Sequence, residues 1–245
     1  MSAAIRLSHV TKRFGARTVL DDVSIDVEEG AAYCLLGRSG TGKSVTLRLI
    51  IGLVLPDSGQ VHVDNQDLAG LPPRQLSEVR KRMGFLFQSA ALFDSMTVGE
   101  NVAFPLRRHT RLSDADIREK VLARLASVGL EAEVAKMPSD LSGGMCKRVG
   151  LARAMALDPS ILLVDEPGAG LDPITTREID ELLVAQKAAG VTLVMVTHSI
   201  PSARLVADEL ALLHEGRIVA HGSAADMDRS EHPLVRAFMR SEGGG

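Results

Sequence analysis

The chain has 245 residues, 45% of them hydrophobic and 24% charged, with a formal net charge of −3. This is the composition of a globular protein with room for one large domain or a core with a subdomain, and it excludes general disorder. The charge gives no electrostatic footprint for nucleic acid, and no apolar run approaches the length of a membrane span, so the chain is expected in the cytoplasm with any membrane role supplied by a partner. Aromatic residues are 3% and Trp is absent, so Leu, Val, Ile, Ala and Met must build the core. Met1-Ser2-Ala3-Ala4-Ile5-Arg6 has no signal-peptide form. Cys34 and Cys146 fit no metal or redox spacing, and Cys34 reads as a small core residue.

Residues 5–30 alternate in strand fashion, with Val23, Ile25 and Val27 on one face and Ser24 and Asp26 on the other, which predicts a half-buried antiparallel sheet. After the turn at Glu28-Glu29-Gly30, residues 33–36 are apolar enough for a buried strand, and residues 45–51 can run as a helix. Pro56-Asp57-Ser58-Gly59 is a second turn, and Val61-His62-Val63 returns to the small sheet. Pro72-Pro73 can open a helix through Arg82, and residues 83–87 read as a core strand ending at Gln88.

From there to about residue 158 the texture is helical. Thr97-Val98-Gly99-Glu100 and Ser113-Asp114-Ala115-Asp116 fit capping boxes, and Ile117, Val121, Leu122 and Leu125 recur at helical spacing. Pro105 and Arg107-Arg108-His109 are expected to break the two helices apart. Residues 161–165 and 191–196 are buried strands by composition, and residues 173–189 form a helix between them, with Pro at its start and Gly190 beyond its end. Strand, helix and strand without hairpin turns predict parallel pairing. Residues 209–213 and 217–220 read as a hairpin, residues 233–240 as a short amphipathic helix, and Gly243-Gly244-Gly245 as a flexible end.

Three stretches carry chemistry. Gly37-Arg38-Ser39-Gly40-Thr41-Gly42-Lys43-Ser44 follows a strand and opens a helix, which is the phosphate-loop template. Backbone N–H groups and the positive helix end converge there, and polyphosphate is the natural occupant. Lys43 would reach the β- and γ-phosphates and the Ser44 hydroxyl would ligate Mg²⁺. The alternative is a Gly-rich turn with an incidental lysine. Ile161-Leu162-Leu163-Val164-Asp165-Glu166 is an apolar strand ending in carboxylates. Asp165 suits the metal, and Glu166 suits acceptance of a proton from attacking water. Leu141-Ser142-Gly143-Gly144-Met145 opens a helix expected to run through Leu157, with Ser142 as N-cap and bare amides at its start. It reads either as an ordinary capped helix or as a second anion site. A second phosphate site this far along one monomer makes sense if two copies pair head-to-tail, each closing the other's nucleotide.

Taken together and in this order, the motifs resemble those of ABC transporter ATPases over essentially the whole chain. The resemblance implies an α/β fold: a P-loop NTPase (RecA-like) core with a mainly parallel sheet, an antiparallel β subdomain and an α-helical subdomain. All of residues 1–245 would be one ABC ATPase domain. Its antiparallel parts would lie near 5–30 and 57–66, its nucleotide core near 31–88 and 158–222, its helical subdomain near 89–157 and its tail at 223–245. The resemblance also implies ATP and Mg²⁺ as cofactors. It places Phe14 against adenine, Gln88 as the glutamine switch, Leu171-Asp172 in the dimer-contacting loop and His198 as the switch histidine. The implied catalytic set is Glu166, His198, Lys43 and Gln88, and the implied metal set is Ser44, Gln88 and Asp165. Nucleotide contacts would come from Phe14, Gly37, Arg38, Ser39, Gly40, Thr41, Gly42, Lys43, Ser44 and Val45, with Ser142, Gly143, Gly144 and Asp172 on the dimer face. Met145 departs from the usual Gln of the signature, so a side-chain hydrogen bond near the ribose is lost.

Residues 91–106, which face the membrane partner in this family, are similar to the corresponding stretch in ATPases of Mla/Mce-type lipid transporters. So are Met145 and His232-Pro233-Leu234-Val235-Arg236-Ala237-Phe238. That likeness implies phospholipid movement between the inner and outer membranes. The partners would be a second copy of the chain, a membrane permease, an Mce-domain protein and a STAS-domain protein, and the chain would sit on the cytoplasmic face of the inner membrane. Rival readings are an ABC ATPase for an amino acid, ion or drug, a non-transport ABC ATPase acting on DNA or ribosomes, and a module with a dead ATP site. The last finds no vacancy among the catalytic positions.

Overall fold

The computed structural model describes residues 3–240, so the expectation for Gly243-Gly244-Gly245 lies outside the described residues. Strands β1 (Ala3–Phe14) and β2 (Arg17–Glu28) form an antiparallel hairpin. In β2, Val23, Ile25 and Val27 are buried while Ser24, Asp26 and Glu28 are exposed, as two-residue alternation requires. The chain then enters β3 (Ala32–Leu36), buried at every position, and α1 (Lys43–Ile50). It returns to the first sheet through β4 (Ser58–Val63) and the short β5 (Gln66–Asp67), giving the order β2-β1-β4-β5. Helix α2 (Pro73–Lys81) and β6 (Met83–Leu86) follow, on the bounds the Pro pair and the apolar run predict to within a residue or two.

A helical layer comes next: α3 (Val98–His109), α4 (Asp114–Ala126) and α5 (Gly143–Ala154), with α3 packed on both others. Both anticipated capping boxes are present, at Thr97/Glu100 and Ser113/Asp116. Pro105 does not break α3, contrary to expectation. Leu106 beside it is fully buried and holds the last turn in the core, and the helix ends only where Thr110 turns its N–H and hydroxyl onto the Leu106 carbonyl. The signature helix stops at Ala154, short of Leu157.

The rest of the chain completes a second sheet. It runs through β7 (Ile161–Asp165), α6 (Pro173–Ala188), β8 (Thr192–Thr197), α7 (Ile200–Val206), β9 (Glu209–His214), β10 (Arg217–Gly222), α8 (Ala224–Arg229) and α9 (Pro233–Arg240). The order is β10-β9-β3-β8-β7-β6, parallel throughout except for the β9–β10 hairpin. Helices α7 and α8 were not anticipated, although Ser199 caps the first and a Ser223/Asp226 capping box opens the second.

Successive residues of β3 serve two cores. Cys34 and Leu36 face the cluster that includes Val102, Leu106, Leu125 and Leu151, and Tyr33 and Leu35 face the one that includes Leu47, Ile50 and Val61. Cys34 is fully buried, and that burial pushes its thiol far up from its ordinary range. Among the described residues no helix is long and apolar enough to cross a membrane.

One buried polar group shapes the entry to the helical layer. The fully buried Asn101 accepts the Phe93 amide at 2.8 Å and donates to the carbonyls of Phe93, Met96 and Thr97 at 3.0–3.1 Å. It therefore holds the 93–97 loop as a backbone substitute. Asn101→Ala takes the partner from the Phe93 amide and the Met96 carbonyl, while the Phe93 and Thr97 carbonyls keep the Met96 and Asn101 amides, and it is expected to cost about 1–3 kcal/mol. Urea unfolding checks this, and a loss under about 0.5 kcal/mol would show the loop to be held by something else.

Candidate functional site

The site forms where the parallel strands β3 and β7, with β8 between them, end at the same edge of the sheet. Beyond Leu36 the chain turns through the Gly-rich loop, and Gly42, with φ 110°, directs it into α1. A side chain at Gly42 would meet the Val19 carbonyl at 2.9 Å, so only glycine fits there. Lys43, the first residue of α1, is 5% exposed. Its ammonium donates to the carbonyls of Gly37 (2.7 Å) and Arg38 (3.1 Å) and pairs with Glu166 Oε1 at 3.1 Å. The Ser44 hydroxyl donates to Asp165 Oδ1 at 2.9 Å.

Asp165 is the last residue of β7, and Glu166 follows with φ 45°, a left-handed conformation that costs a non-glycine residue about 1–2 kcal/mol. Four partners hold the Glu166 carboxylate: Lys43 on Oε1, and on Oε2 the Thr197 hydroxyl (3.2 Å), the His198 amide (3.3 Å) and His198 Nδ1 (2.8 Å). Its own amide donates to the Val196 carbonyl at 2.9 Å, which locks the strained residue to β8. Burial, aided by the charge on Glu166, raises the Asp165 pKa. The Ser44 hydrogen bond and the cations Arg48 and Lys43 oppose the rise without cancelling it.

These groups open onto a cleft of about 350 Å³ lined by Phe14, Arg17, Val19, Ser39, Gly40, Gly42 to Val45, Gln88, Glu166 and His198. Phe14 is half exposed, with the Lys12 ammonium 5.4 Å from its ring centre. Gly37, Arg38 and Thr41 do not line this cleft, and within the loop the Arg38 carbonyl accepts the Thr41 amide and hydroxyl. The structure thus gathers Phe14, the Gly-rich loop, Gln88, Asp165, Glu166 and His198 in one place.

Ser142, Gly143, Gly144 and Asp172 sit apart from that cleft and form a cluster of their own. The Ser142 hydroxyl caps α5 by accepting the Met145 amide at 3.2 Å. Gly144 packs on α6 so closely that a Cβ would lie 2.3 Å from Thr175 Cγ2. Asp172 caps α6, accepting the Ile174 and Thr175 amides at 3.0 Å and the Thr175 hydroxyl at 2.6 Å, which holds its carboxyl below the usual range. Ile174 beside it is 76% exposed.

Two contacts escaped sequence reasoning. Arg17, the strand partner of Phe14, donates to the Gly40 carbonyl at 3.2 Å. Lys147 is 4% exposed and donates to the Glu166 carbonyl at 3.2 Å, and burial lowers its pKa against the opposing pull of Asp165 and Glu166. Its signal was readable: helical spacing sets it in line with Gly144 and Leu151, on the buried side of α5.

A phosphate loop between a parallel strand and a helix, with a second strand of the same sheet ending in Asp-Glu, defines a nucleotide site of the P-loop class. The chain belongs to the ABC transporter family, whose sequence pattern matches residues 20–169. A pattern described as an AAA domain, putative AbiEii toxin of a type IV toxin–antitoxin system, matches the shorter stretch 137–203. Among relatives, the probable ribonucleotide transport ATP-binding protein mkl of Mycobacterium leprae (strain TN) is 42% identical over 240 residues, covering 98% of this chain and 69% of that protein. The intermembrane phospholipid transport system ATP-binding protein MlaF of Escherichia coli (strain K12) is 42% identical over 226 residues, 92% of this chain and 84% of that one. The dimeric post-hydrolysis structure of the cassette MJ0796 bound to ADP and Pi superposes with a TM-score of 0.83 at 34% identity, covering 89% of this chain and 98% of its own.

Lys43→Ala removes the ammonium paired with Glu166 Oε1. It is expected to cut ATP turnover by about 100-fold or more, read as phosphate release at saturating ATP. Wild-type turnover in that variant would remove Lys43 from the site.

Proposed function

We propose that this chain is the ATP-hydrolysing subunit of a transporter that moves phospholipid between two membranes, working as a head-to-tail pair of copies. The observation that carries the pairing is the division of the site. Phe14, Ser39, Gly40, Gly42 to Ser44, Gln88, Glu166 and His198 line one cleft, with Asp165 bonded to Ser44 beside it, while Ser142 to Gly144 at the capped start of α5 and Asp172 are not among its lining residues. Each cleft is completed when the Ser142 to Gly144 amides of a second copy meet the γ-phosphate. The dimeric cassette with ADP and Pi, similar over most of this chain, supports that arrangement.

Within the closed site Glu166 accepts the proton of the attacking water, with its orientation set by Thr197, His198 and the Val196 carbonyl. Lys43 reaches the β- and γ-phosphates from the start of α1, and His198 stands beside Glu166 to contact the γ-phosphate. Ser44 and Asp165 are hard oxygen donors in hydrogen-bond contact, and the adjacent carboxylates carry the negative charge a small cation neutralises, so they fit Mg²⁺ with Gln88 at the rim. When bound, the ion offsets charge on the phosphate oxygens.

The permease docks at the 88–106 region. A cleft of about 530 Å³ there is lined by Phe85, Phe87, Phe93, Phe104 and Pro105 and rimmed by Lys81, His109 and Arg153. The last three aromatics of this patch, Phe87, Phe93 and Phe104, are exposed. Coupled through this patch, ATP-driven closing and reopening of the pair drives the permease on the cytoplasmic face of an inner membrane, alongside an Mce-domain protein and a STAS-domain protein. Phospholipid as cargo rests on the likeness to MlaF. Ribonucleotide is the second reading, from the equally similar mkl.

Glu166→Gln is expected to lower turnover by about 10²–10⁴-fold while ATP-bound dimers accumulate in size-exclusion chromatography; undiminished hydrolysis removes Glu166 as the base. For the cargo, the permease complex purified through this chain is expected to carry phospholipid by mass spectrometry. Ribonucleotide in its place transfers the assignment to the second reading.

A further inference from the structure

Another cleft, of about 700 Å³, opens at the other end of β3 from the phosphate loop. One wall is residues 24–28 of β2, the edge strand of the antiparallel sheet, and another is the start of β9 with His221 of β10. Four carboxylates line it, those of Asp26, Glu28, Asp208 and Glu209, and no lysine or arginine does. Two of the four are matched from outside the cleft. Asp26 accepts Arg6 Nε at 2.6 Å, and Asp208 accepts the Lys187 ammonium at 2.7 Å and the Ala32 amide at 2.9 Å. Among the described residues Glu209 pairs only with His221 Nδ1, at 3.9 Å, and Glu28 is in no ion pair.

Tyr33 of β3 lines the same cleft and is 5% exposed, yet no described residue hydrogen-bonds its hydroxyl. A buried tyrosine hydroxyl ordinarily has a partner, and Phe would fill the same core without the cost of desolvating one. Among the described residues, the polar side-chain atoms sealed from water without a hydrogen bond belong to His62, Glu133, Arg148 and Asp180. The Tyr33 hydroxyl, equally without a bond, is not one of them. It therefore keeps an opening, and the cleft bounded by carboxylates is the opening that Tyr33 lines. Burial, and after it the charge of Glu209, holds the phenol protonated far above its ordinary range, so it stays neutral with a lone pair to offer.

We propose that this cleft binds an aliphatic polyamine, with ammonium groups on Glu28 and Glu209 and one N–H donated to the Tyr33 hydroxyl oxygen. An ammonium is a donor only, and the carboxylates and the phenol oxygen are acceptors. Among the described residues no group of three or more His, Cys, Asp or Glu side chains could hold a metal ion, so the negative charge is spread around the cleft instead of focused on one point. A ligand that matches it carries positive charge at several places along its length. The volume is that of a small-molecule site, and Ile25, Val27 and Ala31 add apolar lining for the methylene stretches between the charges. The cleft shares no lining residue with the nucleotide cleft, so this binding site stands independently of the reading of Glu166.

The test is isothermal titration calorimetry of spermidine into the full-length, nucleotide-free chain at about 50 mM salt, where surface charge is weakly screened, with thermal unfolding as the control for folding. One spermidine per chain is expected, with Kd on the order of 0.1 mM. Putrescine, with one ammonium group fewer, should bind more weakly. Tyr33→Phe keeps the ring and changes no charge, and it is expected to weaken spermidine binding by about 3- to 10-fold with no drop in unfolding temperature. Glu28→Gln and Glu209→Gln should each weaken it by about 2- to 5-fold, whereas Glu119→Gln, an exposed carboxylate on α4 outside the cleft, should change it by less than about 1.5-fold. No binding by the wild type, several spermidines per chain, or equal affinity in folded Tyr33→Phe overturns the proposal, the last two because they mark a diffuse attraction of counter-ions. Dilysine amide carries as many ammonium groups as spermidine; if it binds more tightly, the occupant is a basic peptide and the polyamine assignment falls. Should Tyr33→Phe fail to fold, Glu28→Gln and Glu209→Gln against Glu119→Gln decide it, and equal affinity in all three overturns the proposal.

Discussion

Two carboxylates, Asp165 and Glu166, leave β7 at a place almost closed to water, where burial and the neighbouring charge of Glu166 raise the Asp165 pKa. The surroundings follow from that constraint. The Lys43 ammonium is drawn out of water to meet Glu166, and its remaining protons are satisfied by loop carbonyls instead of solvent. The Ser44 hydroxyl donates a hydrogen bond to Asp165. Lys147, reaching in from α5, adds positive charge behind the pair, at the Glu166 carbonyl. Thus the P-loop, the acidic strand and the signature helix, far apart in the chain, are tied to one electrostatic problem, and the β3-β8-β7 order of the sheet brings them within reach of it.

Much of this was legible from residue order. The Gly-rich loop is a local device whose spacing and flanks declare it, and the alternation in β2 and the capping boxes at Thr97 and Ser113 are equally local. The illegible part is what depends on neighbours distant in the chain. The strands β3, β7 and β8 are buried at every position, so no alternation marks which strand lies beside which. Pro105 looked like a helix end because proline lacks a donor, but a buried Leu106 outweighs one missing bond. Asn101 is an ordinary polar letter in the sequence, and only the folded 93–97 loop makes it structural. In the site, residues with motif signatures were found, whereas Arg17 and Lys147, which act through backbone carbonyls, left only an indirect trace.

The separation of the phosphate-loop cleft from the Ser142–Asp172 cluster bears on how such a machine can be timed. Each half is built within one chain: one is fastened to the parallel sheet, the other is a pair of helix caps packed glycine against threonine. Little within either half needs to rearrange for the site to be made, and the energetic variable is the distance between copies. The exposed Ile174, two residues beyond Asp172, adds apolar surface to that cluster.

Cys34 offers a different kind of access to the molecule. Its thiol sits in the middle of the central strand, sealed on both sides, with burial suppressing the thiolate form. A thiol reagent can reach it only when the parallel sheet itself parts, so its labelling rate is an intrinsic clock for the rarest, most global opening of the fold. Cys146, half-buried at the start of the signature helix, answers to local motion instead. The two sulfurs let one chain report separately on the breathing of its core and of its edge.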